Sequence, residues 1–97
     1  MRFITRIMAK MTTQQRLDCL LKHFNKLAEN QGDMMQLDGE DITLLMDKCG
    51  FVSRSEIAFY LDSLATLGLM RSSCSADHTL LAASITIEGY CRLDEIQ

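Results

Sequence analysis

The sequence predicts a mainly α-helical domain with a small β-hairpin, an α+β fold that contains a helix-turn-helix. Two amphipathic segments in the middle of the chain are joined by about four residues, which is helix-turn-helix spacing. After Gly68 the apolar pattern changes from a helical to an alternating period, which is typical of strands. Thr86 and Glu88 then form the pattern of a new helix start.

Residues 1–11 are basic and weakly amphipathic, and we interpret them as a leader or arm ahead of a domain of residues 12–97. The simplest interpretation is a frayed leader, or a start codon placed before the true start at Met11. The alternatives are a dimerisation arm and a membrane-surface helix, although the segment is short for the latter.

The first helix is predicted to begin at Thr12 or Thr13, which are candidate N-caps, and to extend to about Asn30. Gly32 is a plausible stop signal. The apolar residues of this helix recur at helical spacing on one face: Leu17, Leu20, Leu21, Phe24, Leu27 and Ala28.

A polar connection and a second helix follow. Met34, Met35 and Leu37 interrupt the connection, and their partial alternation predicts a short edge strand. The alternative to a strand that covers the edge of the core is that the two methionines belong to an exposed adhesive surface. The second helix runs roughly over residues 40–48 with apolar side chains at i, i+3, i+4 and i+7, and Gly50 ends it.

The third helix begins with Ser53 and Glu56, which have the spacing of a capping box, and ends before Gly68. Its inner face is predicted to contain the apolar residues Ile57, Tyr60, Leu61, Leu64 and Leu67. Its outer face is predicted to contain Ser55, Phe59, Asp62, Ser63 and Thr66.

The rest of the chain predicts a hairpin and a last helix. The pattern predicts two antiparallel strands, over residues 69–73 and 79–85, joined by a turn at residues 75–78. Thr86 is the expected N-cap of a helix that ends near Ile96. The inner or partner-facing residues of this helix are predicted to be Ile87, Tyr90, Cys91 and Leu93.

The length and charge of the chain limit the functions that it can have. The 97 residues suit one domain, and their net charge is −3. Arg2, Arg6 and Lys10 lie in the first ten residues, which hold no acid. The remaining residues therefore combine seven cations with all thirteen acids. A protein that binds nucleic acid usually has a basic surface, and the composition of the body of this chain does not indicate one.

The cysteine pattern predicts free thiols and a reducing, cytoplasmic location, because no Cys-x-x-Cys pair and no convincing secretory signal are present. No apolar run approaches the ~20 residues of a membrane span. Two Cys-x-x-x-His pairs, Cys19–His23 and Cys74–His78, could together hold zinc if the hairpin met the first helix. Coincidence of two surface pairs is favoured, so no metal and no other cofactor is expected.

Catalysis is not expected. The chain contains no P-loop, Rossmann or Gly-x-Ser-x-Gly signature. Its only histidines, His23 and His78, lie in no recognisable motif, so no nucleophile has an evident base. We interpret the chain as a binding protein rather than an enzyme.

Two segments resemble small bacterial winged-helix regulators of the MarR and PadR kind. Residues 43–71 share a serine-capped second helix of the motif, a Leu-x-x-Leu step and a Gly-Leu-aliphatic entry into the wing. Residues 85–96 look like the Leu-Thr-x-x-Gly passage that leads from the wing to the last helix. The resemblance implies a dimeric transcriptional regulator that places residues 53–67 in the major groove of DNA. Dimerisation is expected through the first and last helices.

If the chain is a DNA-binding regulator of this kind, the expected DNA contacts are Ser53, Arg54, Ser55 and Ser63, with Arg71 near the wing. The alternative is a winged-helix module that binds a protein partner and not DNA. It is favoured by Phe59, a large apolar group on the outer face, and by the scarcity of cations there. Arg54 is the only Arg, Lys, Asn or Gln on that face, and the predicted wing tip contains Asp77 and no Lys or Arg.

Overall fold

The computed structural model describes residues 11–28 and 34–96. The leader, the segment 29–33 with the predicted stop at Gly32, and Gln97 lie outside the described residues. The described elements are α1 (Thr13–Leu27), β1 (Met35–Gln36), α2 (Gly39–Cys49), α3 (Arg54–Thr66), β2 (Met70–Cys74), β3 (Leu81–Ile85) and α4 (Ile87–Ile96). The expected α+β class is confirmed.

The strands form one antiparallel sheet in the order β1-β3-β2. The hairpin register runs from Met70 opposite Ile85 to Cys74 opposite Leu81, and Met35 of β1 pairs with Ala83. The predicted edge strand is therefore present. The returning strand begins later than the predicted residue 79, because the turn between the hairpin strands extends to residue 80.

Side-chain caps explain where the first two helices begin. Thr12 accepts a hydrogen bond from the Gln15 amide at 3.1 Å, and the Gln15 side chain accepts one from the Thr12 amide at 2.8 Å. Asp38 and Asp41 make the same reciprocal pair at 2.9 and 3.1 Å. Each pair satisfies amides that have no partner within the helix, which fixes the helix start locally.

The predicted capping box of α3 is only half formed. Ser53 Oγ accepts from the Glu56 amide at 3.2 Å, as expected. The Glu56 carboxylate, however, accepts from the Val52 amide at 2.9 Å and from Arg16 at 3.5 Å. The reciprocal bond to Ser53 is replaced because an arginine of α1 and a neighbouring amide compete for the same carboxylate.

The end of α3 matches its prediction. Gly68 has a φ of +79°, in the left-handed region that glycine adopts without steric cost. Its amide donates to the Ala65 carbonyl at 3.0 Å, and the Leu69 amide donates to the Leu64 carbonyl at 2.9 Å. These two bonds form a Schellman motif, which turns the chain directly into β2.

The core lies between the sheet and the helices, with α1 contacting α2, α3 and α4. Its largest fully buried side chains are Phe24, Leu20, Leu21, Leu45, Ile57, Leu61, Leu64, Met70, Leu81 and Cys49. In the first three helices the predicted inner faces are confirmed with one exception, in α3. Leu67 is 56% exposed, because it caps the helix end instead of continuing its inner face.

The last helix is fixed to the rest of the domain at its start and through Arg92 in its middle. Thr86 caps it by accepting from the Gly89 amide at 3.0 Å and donates to the Gly68 carbonyl at 2.6 Å. Arg92 makes two bonds to Asp18 of α1, at 3.0 and 2.8 Å. Leu93 is buried, whereas the other residues predicted as inner or partner-facing, Ile87, Tyr90 and Cys91, are exposed.

No helix in residues 11–28 or 34–96 is long and apolar enough to cross a membrane.

We expect Gly89→Ala to lower the free energy of unfolding by about 2–3 kcal/mol, a cost typical of overpacking. A Cβ at Gly89 would overlap the backbone carbonyl oxygen of Leu69 and lie 2.6 Å from a methyl carbon of Ile85. Thermal unfolding should show a Tm lowered by roughly 10–20 °C. The matched control is Gly39→Ala, where a Cβ meets nothing within 4 Å. Equal melting temperatures for the two variants would contradict the close packing of α4 on the chain before β2.

Candidate functional site

The outer face of α3 is the candidate site, and it comprises Ser55, Phe59, Asp62, Ser63 and Thr66. Burial of the opposite side of the helix determines this face, since Ile57, Leu61 and Leu64 are each 0% exposed. With 3.6 residues per turn, fixing those three side chains in the core leaves the outer-face residues toward solvent. Phe59 is 62% exposed, so the predicted position of this aromatic side chain is confirmed.

Phe59 ends a row of aromatic rings that leads out of the core. The Phe51 and Tyr60 rings lie 5.0 Å apart, and the Tyr60 and Phe59 rings are 5.5 Å apart in an edge-on arrangement. Phe51 and Tyr60 are only 4% and 9% exposed. We call these three residues the aromatic stack. Edge-on contacts of this kind are favourable, so contact with the buried Tyr60 ring stabilises the position of the exposed Phe59 ring.

The polar groups of the outer face mostly bind within the protein. Ser63 Oγ donates to the Phe59 carbonyl at 2.9 Å, and Thr66 donates to the Asp62 carbonyl at 3.0 Å. The Asp62 carboxylate accepts from the Ser72 hydroxyl at 2.8 Å, which ties α3 to β2. Ser63, an expected DNA contact, therefore uses its hydroxyl hydrogen on its own helix.

The first turn of α3 docks on the turn between β2 and β3. The Arg54 guanidinium lies 3.5 and 3.4 Å from the carbonyl oxygens of His78 and Thr79. Ser55 Oγ lies 3.0 Å from Nδ1 of His78. Two of the expected DNA contacts are thus close together, but both are engaged with the hairpin turn. A third, Ser53, uses its hydroxyl as the N-cap of α3.

The hairpin turn itself carries a negative charge. The Asp77 carboxylate accepts bonds from the Thr79 hydroxyl at 2.8 Å, the Ser75 hydroxyl at 2.8 Å and the Thr79 amide at 3.1 Å. Donation from the Thr79 hydroxyl is the largest of these effects, and together they lower the pKa of Asp77 to about 2. The turn therefore presents a carboxylate where a DNA-binding wing would present a cation.

Arg71 lies apart from the other expected DNA contacts. Its Nε donates to the Ser84 hydroxyl at 3.2 Å, near the base of the hairpin and the start of α4. Alternation along β2 sends Ser72 toward Asp62 of α3 and Arg71 to the other face of the sheet. Arg54 and Arg71 are therefore on opposite faces and at opposite ends of the hairpin.

A basic cluster forms elsewhere, on α1 and at the end of α2. His23 is partly buried and lies within electrostatic range of Lys26, Lys22 and Lys48, and the pKa of His23 is lowered by burial first and by these lysines second. The spacing of Lys22 and Lys26 is visible in the sequence. The approach of Lys48 from α2 is not, so sequence patterns gave no indication of this cluster.

The two Cys-x-x-x-His pairs do not meet. Cys19 Sγ donates to the Lys48 carbonyl at 3.5 Å between α1 and α2, whereas His78 contacts Ser55 beside the hairpin. In the part of the chain that the structure describes, no group of three or more His, Cys, Asp or Glu side chains could hold a metal ion. The geometry that the zinc alternative requires is thus not formed by these residues.

We expect the hairpin turn to lose stability in acid as Asp77 becomes protonated. The pKa of Asp77 is lowered in the folded state to about 2 from an ordinary 3.8, so its stabilising effect is complete above about pH 4 and is lost as the pH falls toward 2. Carboxyl NMR of the native protein should give a midpoint near the lower value. In Asp77→Asn, the amide signals of residues 75–79 should be insensitive to pH in this range. A midpoint near 3.8 would contradict the three hydrogen bonds.

No protein-family model, curated protein or solved structure matches the chain. The geometry of the residues described above is therefore the basis for any proposal about function.

Proposed function

We propose that the chain is a winged-helix module that binds a protein partner through the outer face of α3, with Phe59 as the anchor. The element order α1-β1-α2-α3-β2-β3-α4 and the hairpin that packs along α3 support the winged-helix assignment. The observation that carries the binding proposal is the 62% exposure of Phe59, whose ring contacts the buried ring of Tyr60. The module acts by association and not by catalysis.

The support beneath Phe59 favours a role in binding. Aromatic residues that fill a partner's pocket are typical hot spots, and their truncation often costs about 2 kcal/mol or more. A ring already held in place loses less conformational entropy when a partner covers it. Phe59 is held by Tyr60, which in turn contacts Phe51, so this ring is preorganised for contact.

The charges on the outer face of α3 and at the hairpin turn define the chemistry of the partner. Asp62 lies one turn further along α3, and Asp77 holds a negative charge at the hairpin turn. Ser55, Ser63 and Thr66 contribute small polar groups. A complementary partner presents an apolar pocket bordered by lysine or arginine side chains, since opposite potentials steer association and suppress wrong partners.

We expect Phe59→Asp to abolish capture of the partner while leaving the fold intact, because a charge replaces the apolar anchor on an exposed surface. The matched control is Ile87→Asp, which changes a side chain that is 79% exposed on α4. Quantitative affinity capture, with circular dichroism of each variant, should show at least tenfold loss for Phe59→Asp alone, which corresponds to about 1.4 kcal/mol. Equal capture by Phe59→Asp and the parent protein would refute the proposal.

DNA binding by a dimer is the second candidate, and Arg54 is the observation that favours it. Arg54 is exposed in the first turn of α3, the part of a recognition helix that contacts bases. Its contacts with the turn carbonyls are long, at 3.5 and 3.4 Å, so the guanidinium can turn away from them at little cost.

Titration of a random DNA duplex at low salt separates the two candidates, because non-specific affinity is mainly electrostatic and is strongest there. We expect α3 to contribute nothing to the DNA binding that fluorescence anisotropy measures. Any DNA affinity of the protein should therefore disappear in Arg2→Gln/Arg6→Gln/Lys10→Gln and be unchanged in Arg54→Gln. Binding that survives in the leader variant and weakens in Arg54→Gln would instead establish the DNA-binding candidate.

A further inference from the structure

Cys19 and Cys49 lie next to one another between α1 and α2. After burial, the neighbouring Cys19 thiol is the main cause that raises the pKa of Cys49. Cys19 also lies 3.5 Å from the carbonyl oxygen of Lys48, the residue before Cys49. The two cysteines are far apart in sequence and are brought together by the packing of α1 on α2.

The two thiols differ in their access to solvent. Cys49 is 1% exposed and lies in the core, whereas Cys19 is partly exposed. Cys19 lines an open surface groove together with Lys22 and His23. A small disulfide can therefore approach the Cys19 sulfur from solvent, whereas it cannot approach Cys49. The pair thus consists of one accessible thiol and one buried thiol that lie close to one another.

We propose that Cys19 and Cys49 form a reversible disulfide between α1 and α2 by exchange with a low-molecular-weight disulfide such as oxidised glutathione. The Cys19 thiolate attacks one glutathione sulfur, forms a mixed disulfide and releases the other glutathione as a thiolate. Cys49 then loses its proton to solvent and attacks Cys19 Sγ, which releases the second glutathione. Two protein thiols are oxidised and one glutathione disulfide is reduced to two thiols.

The remaining cysteines are placed differently. Cys91 is exposed on α4, and Cys74 lies on β2 near Asp62 and Ala82. Their reaction with glutathione disulfide should stop at a mixed disulfide within one chain. Only the proximity of Cys19 to Cys49 gives a second thiol that could resolve this intermediate.

The second step should be the slower one. Burial is the main cause that raises the pKa of Cys49, followed by the hydrogen bond with Cys19 and the charge of Cys19. Modification of Cys19 removes the last two causes but not the first. The resolving thiolate therefore stays scarce near neutral pH, and its population rises about tenfold for each pH unit below its pKa.

The test uses the full chain with Cys74→Ser and Cys91→Ser, incubated with oxidised glutathione in native buffer. Intact mass spectrometry should show a transient glutathione adduct and then a product that has lost two hydrogen atoms. Peptide mapping should assign the bond to Cys19 and Cys49, and the final step should accelerate about tenfold per pH unit. The oxidised form should have a higher Tm, because the bond closes a long loop in the unfolded chain, and dithiothreitol should reverse this change.

Two variants serve as controls in the same background. Cys19→Ser should remain unmodified, because the buried Cys49 cannot reach glutathione alone. Cys49→Ala should stop at the mixed disulfide on Cys19. If the parent chain also stops there, or stays unmodified while folded, the proposal is wrong. These outcomes are read from the parent chain, so they hold even if a variant at Cys49 fails to fold.

Discussion

Burial of Ile57, Leu61 and Leu64 is the constraint on which the rest of the structure depends. Each side chain is 0% exposed, and burying an Ile or Leu stabilises the fold by about 1.5–3 kcal/mol. Rotating α3 to cover Phe59 would return these three side chains to water, and the single phenylalanine could not offset that loss. The core therefore decides which residues α3 presents, and the exposed aromatic ring is a consequence of the packing on the other side.

Features set by neighbouring residues could be predicted from the sequence, whereas features set by distant residues could not. Gly50 and Gly68 end their helices as expected, because a left-handed residue acts on the turn before it. The periodicity of α3 likewise predicted an exposed Phe59. The carboxylate of Glu56, in contrast, is shared with Arg16, which lies 40 positions away, and Arg92 binds an aspartate 74 positions away. No local pattern contains such pairings, and the engagement of the first turn of α3 with the hairpin was invisible for the same reason.

The thiol pair and the aromatic stack lie on either side of the short connection between α2 and α3. Cys49 is the last residue of α2, Gly50 follows in the left-handed region, and Phe51 is the first ring of the stack. Phe51 is 4% exposed and its ring lies 5.0 Å from that of Tyr60, which supports Phe59. The proposed disulfide at Cys49 would therefore form two residues from the first ring of the aromatic stack.

The magnitudes of the interactions favour a protein partner over DNA for the outer face of α3. Contacts between cations and phosphates supply most of the non-specific affinity for DNA, and each contributes a slope of about 0.9 to the salt dependence of binding. Within the described residues, the first turn of α3 supplies Arg54, while Arg71 lies on the other side of the sheet and Arg16 is paired with Glu56. The pKa of Asp77 is about 2, so this carboxylate keeps its charge and repels phosphate throughout the physiological pH range. Truncation of one preorganised aromatic anchor often costs about 2 kcal/mol or more of binding free energy. This contribution outweighs that of a single loosely held cation among carboxylates.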